Sequence, residues 1–160
     1  LDTPKRTYVT TYTASAVRSW RGDTVVTDAL HHGTYGGYTR ASAAVFPAQL
    51  GTDLGASGVE MVKVEVRLRN LSWWGSSGTA TLGTLESSTL PTSRPTSSNN
   101  RAQSAGWPEG VDRWVEMPAS WLTTALRGIT LGAGAGTGTS EYGKFSAALP
   151  DVQLRVTYRK

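Results

Sequence analysis

The sequence predicts an all-β protein: an antiparallel β-sandwich, jelly-roll-like, with one short helix near 118–127. Three observations predict it. Apolar and polar residues alternate with period two in several short stretches, as they do in half-buried strands. Gly-rich and Pro-rich breaks separate those stretches throughout the chain. Strands do not alternate with helices, which points to two antiparallel layers sharing a core made of alternate residues. Composition agrees. Only 18% of residues are charged and 18 are Gly, whereas helices favour Ala, Leu, Glu and Lys. The 160 residues suit a single sandwich domain, 1–160. The opening Leu1-Asp2-Thr3-Pro4, without an initiator Met or an apolar leader, looks like an excised or processed piece of something longer.

Taken in order, "RTYVTTYTASAVRSW" reads as one or two strands and "RASAAVFP" as another. "MVKVEVRLRNL" is the clearest element: Val62, Val64, Val66 and Leu68 face one way, and Lys63, Glu65, Arg67 and Arg69 the other. "GTATLGTL", "DRWVEM" and "RGITLGAG" supply three more strands. "PASWLTTALRG" carries Trp121, Leu122, Ala125 and Leu126 at helical spacing, with Pro at the start and Gly128 at the stop. "VQLRVTYR" closes the chain with Val152, Leu154, Val156 and Tyr158 on one side. The segment from Leu90 to Gly110 has no periodicity, and such loops are usually functional or mobile.

Residue types narrow the function. Cysteine is absent, so there is no disulfide framework and no thiolate metal site. His31 and His32 are adjacent, and on a strand they face opposite ways, which makes a poor chelate. No Gly-x-Ser-x-Gly elbow is present, and the glycines of "LGAGAGTGTSEYG" lack the Lys-Ser/Thr ending of a phosphate loop. Carboxylates fall in turns (Asp53, Glu109, Asp151) or on the polar side of strands (Glu65), as solvated charges do. The expectation is a non-enzyme without cofactor or metal. The net charge of +4 comes from twelve Arg and four Lys spread along the chain, so no nucleic-acid patch stands out. No apolar run is long enough for membrane insertion.

Aromatic residues carry more information. Six Trp and six Tyr accompany only two Phe, a bias toward rings with a polar edge. Trp114 and Trp121 fit core packing. Trp73 and Trp74 are strand neighbours, so one faces inward and Trp74 is the candidate surface ring. Trp107 lies in the long loop with Arg94 and Arg101. Tyr35 and Tyr38, in "HHGTYGGYTR", flank glycines on an expected loop. Tyr35, Tyr38, Trp74, Arg94, Arg101 and Trp107 are therefore the candidate ligand-binding residues. Arg21-Gly22-Asp23 spells an integrin-binding tripeptide, but it sits between two strand-like runs and reads as a turn.

The order "SWRGD", "GTYGGYTRASAAVFP", "VEVRLRNLSWWGSSGTATLGT", followed by "RWVEMPASWLTTALRGITLGAGAGTGTSEYGKFSAALPDVQLRVTYRK", resembles the C-terminal domains of minor tail proteins and tail fibres of actinobacterial phages. More loosely, it is similar to DNRLRE-type sandwich domains. The resemblance implies a virion protein, homotrimeric, set among other tail proteins, that meets a host cell-surface glycan or envelope component from the extracellular side. It carries over no binding residue. Trp20, Trp114, Gly128, Gly132, Tyr142, Gly143 and Phe145 match as fold residues, and the loop from Pro91 to Pro108 is individual to this chain. The alternatives are a carbohydrate-binding module of a secreted hydrolase and a purely structural trimer cap.

Overall fold

A computed structural model describes residues 3–72, 80–121, 126–133 and 142–160. In chain order, the first strands are β1 (Thr7–Thr13), β2 (Ala16–Arg21), β3 (Thr24–Val26), β4 (Leu30–Tyr35) and β5 (Tyr38–Val45). After α1 (Ala48–Gly55) come β6 (Glu60–Arg69), β7 (Thr81–Leu85), β8 (Ala102–Gln103) and β9 (Asp112–Met117). The last are β10 (Gly128–Leu131), β11 (Gly143–Phe145) and β12 (Gln153–Arg159). One sheet has the order β1-β12-β6-β9. The other runs β11-β4-β5-β10-β7-β8, with β2 on the free edge of β5 and β3 on β2. Every strand pair among the described residues is antiparallel. The protein is an antiparallel β-sandwich.

Period-two burial builds the core. Val64, Val66 and Leu68 of β6 meet Leu154, Val156 and Tyr158 of β12 in one layer. Ala44, Leu82, Ile129 and Leu131 face them from the other. Val62 departs from the expected row, being 37% exposed. The pairing of β6 with β12 explains this: Lys63 opposes Thr157 but Met61 opposes Tyr158, so Val62 is the extra residue of a β-bulge. The bulge reverses the alternation, and Met61 takes the inward place against the core.

The helix expected near 118–127 is described only at its two ends. Near 118–127, Ala119–Trp121 form a 3-10 turn closed by Trp121 N–H donating to the Pro118 carbonyl at 3.0 Å. Residues 122–125 lie outside the described residues, and Arg127 already pairs outward, to Leu85 and Phe46. The α-helix among the described residues is α1, whose Leu50 and Leu54 are buried against the core. Two glycines in eight residues and no side-chain N-cap hide it from propensity. Tertiary contacts fix it instead: Tyr12 Oη of β1 donates to Asp53 at 2.5 Å, and Gln49 donates to the same carboxylate at 2.6 Å.

The long segment before β9 is used structurally. Residues 86–101 form a strap over the outer face of the larger sheet. Arg18 donates to the Pro91 carbonyl at 2.7 Å, Arg94 to the Gly22 carbonyl at 3.1 Å and Asn100 to Thr84 at 2.9 Å. The face beneath is small along β5, β7 and β10, with Ala41, Ala43, Gly83 and Thr130, while β2 adds Trp20, fully buried directly across from Ala41.

Candidate functional site

The site lies at one end of the larger sheet, where three short-turn features meet. Arg21-Gly22-Asp23-Thr24 is a two-residue hairpin joining β2 and β3; Arg21 pairs with Thr24, and only Gly22 has positive φ, at +59°. That is the pattern of a type II′ turn, so the tripeptide is turn chemistry. Tyr35 pairs with Tyr38 across Gly36-Gly37, whose φ angles of +60° and +79° make a type I′ turn. The expected loop is therefore a tight β-hairpin, β4–β5. Gly33, at φ +85°, ends the pairing of β4 with β5, and Leu30–His32 go on to pair with β11. The redirected strand is held by Ser42 Oγ donating to the His31 carbonyl at 2.7 Å and by His31 N–H donating to Ser19 Oγ at 3.0 Å.

This routing assembles four strands around one cluster. Arg40 lies directly opposite Arg21 in the β2–β5 register. Its guanidinium carbon is 5.6 Å from the Tyr35 ring centroid and 5.4 Å from that of Tyr142, while Arg21 lies 5.1 Å over Tyr38. Tyr35 and Tyr142 stack at 4.9 Å. Behind them, His31 Nε2 meets Asp28 at 3.1 Å and His31 Nδ1 meets the Tyr142 hydroxyl at 3.4 Å. Tyr35 and Tyr38 stay 57% and 49% exposed, whereas Arg40 is 9% exposed.

Electrostatics follow from burial. Burial pushes the His31 imidazole below the usual histidine range; Asp28 opposes the fall, and Arg40 and Lys144 add to it. Burial alone would raise the Asp28 carboxyl, but the hydrogen bond and charge of His31 outweigh it and hold it down. The Tyr142 phenol is pushed up, chiefly by burial. It is therefore a neutral hydroxyl at ordinary pH.

The candidates from sequence divide. Tyr35 and Tyr38 are the exposed rings of the cluster. Arg94 joins its margin, half-buried with its Nε on the Gly22 carbonyl. Arg101 is exposed but precedes β8, three strand spacings from β5, roughly 14 Å away. Trp74 lies outside the described residues. Trp107 is a correction: it is 2% exposed, packs on Phe145 at 5.5 Å and donates Nε1–H to the Val111 carbonyl at 2.9 Å. It anchors the long loop in the core and offers no face to a ligand. Arg21, Arg40 and Tyr142 were missed as site residues. The one hint for Tyr142 is that it precedes a glycine, as Tyr35 does, and a glycine neighbour leaves a ring uncovered. No protein-family model matches the chain, and no curated protein matches it in sequence.

Proposed function

We propose that this chain is a non-enzymatic domain of a phage tail fibre or minor tail protein that attaches to host-surface glycan through the β4–β5 tip. One observation carries the reading: two exposed tyrosine rings stand on a tight hairpin, each stacked with an arginine. Such rings offer flat apolar faces to a sugar ring, and the guanidinium groups donate to its hydroxyls. The tight turn supports this by leaving little conformational entropy to lose on binding. The likeness to actinobacterial phage tail proteins suggests the setting. There, three copies on one fibre would multiply a weak single-site affinity.

The test is binding of the labelled chain to actinobacterial cells and to their purified envelope polysaccharides. The double variant Y35A/Y38A is expected to weaken binding at least about tenfold, since each stacked ring carries ~1 kcal/mol or more. Val111→Ser, on an exposed residue away from the tip, should bind like the wild type. Full binding by Y35A/Y38A would move attachment elsewhere, and no binding by the wild type would leave a structural cap.

A further inference from the structure

We infer that the tip selects an anionic sugar, whose acid group sits on the Arg21–Arg40 pair while its ring lies along Tyr35 and Tyr38. The inference rests on the glycan-binding reading above and names the class of sugar. It starts from an imbalance of charge. Arg40 is nine-tenths buried, and its one hydrogen bond from a described atom runs from Nη1 to the Tyr35 carbonyl at 2.8 Å. A buried guanidinium normally has a carboxylate partner, because removing it from water unpaired is costly. Arg40 has none among the described residues.

Its neighbours deepen the imbalance. Arg21 is the direct cross-strand partner of Arg40, and like charges in that position repel. Lys144 pairs in register with His31 on the other side. Asp28 is engaged by His31, and Asp23, in the adjoining turn, makes no ion pair with either arginine. The rings of Tyr35 and Tyr142 hold the Arg40 fork in place. Its Nε and Nη2 carry no hydrogen bond to a described atom. A fixed, uncompensated fork beside a second, exposed guanidinium fits the two oxygens of a carboxylate or phosphate. Gly33, opposite Arg40 on β4, carries no side chain.

The experiment is an NMR titration of the whole chain with glucuronate, glucose 6-phosphate, glucose and acetate. An acid sugar is expected to bind about tenfold to a hundredfold more tightly than glucose, the range of a hydrogen-bonded charge. Whichever acid sugar binds better identifies the group. Arg40→Gln should abolish that preference, and Arg40→Lys should restore only part of it, because an ammonium lacks the fork. Amide spectra of both variants report whether they are folded. Should R40Q fail to fold, Arg21→Gln is expected to lose the same preference. Glucose bound as tightly as the acid sugars overturns this inference and leaves the glycan reading standing. Acetate bound as tightly as either acid sugar overturns it too, since the sugar ring would contribute nothing.

Discussion

His31 shows how one side chain can tie the tip to pH. It is 8% exposed, between Asp28 and Tyr142, with Arg40 and Lys144 as its cationic neighbours. Because folding lowers its pKa, the unfolded chain binds the proton first as pH falls below about 6.5. Stability is therefore full above that point and declines below it, until the folded-state value is passed. Asp28 acts in a lower window: its folded pKa is depressed, so its contribution persists above the ordinary carboxylate value and is lost below it. The urea midpoint is expected to fall as pH drops below about 6.5. His31→Gln should flatten that slope, and an unchanged slope in the variant would place the acid sensitivity elsewhere.

Among the elements, the strap over the larger sheet makes the sharpest demand on sequence. A Cβ at Gly83 would meet the Ser98 and Thr130 hydroxyls and lie 2.7 Å from the Asn100 carbonyl oxygen. Two of those atoms belong to the strap, one of them rigid backbone. Gly83→Ala is expected to cost about 1–3 kcal/mol, the usual range for overpacking. It should also speed proteolytic cutting within 86–101, because the strap is the part able to move away. Thermal melts with limited proteolysis check both. Destabilisation without faster cutting would mean that β7 yields instead. The bulge at Val62 belongs to the same scale. It lets one strand keep a continuous inward row while changing parity partway along.

At the scale of the molecule, Asn70 is the joint between layers. It follows β6, bridges to Phe145 of β11, and exchanges backbone hydrogen bonds with Val111 and Gly110. Its side chain, fully buried, donates to the Trp107 carbonyl and accepts from Ser72 N–H at 2.8 Å. Through it, the smaller sheet, the corner strand of the larger sheet and the loop anchored by Trp107 share one node. Asn70→Ala leaves two buried polar groups unsatisfied and is expected to cost about 2–4 kcal/mol. Urea unfolding followed by tryptophan fluorescence measures this. A single shared transition is expected, because the node belongs to one core. A separate early transition would show that the loop is held independently.

The strands of the core were determined by sequence alone, because strand burial has period two and that parity is local. β6 and β12 could be drawn from "VEVRLRN" and "VQLRVTY" without any partner, and the tripeptide could be read as a turn from its own residues. What lies across from a strand is not local. Trp107 is legible in the sequence only as a loop ring, either anchor or ligand contact, because nothing in its neighbourhood shows Phe145 beneath it. Tyr142 and Arg40 looked structural or unremarkable because the positions that meet at the tip, 21, 35, 40 and 142, come from separate parts of the chain. Only register, the turn at Gly33 and the crossing of β4 to β11 bring them together. The chemistry of the tip is therefore a property of tertiary pairing.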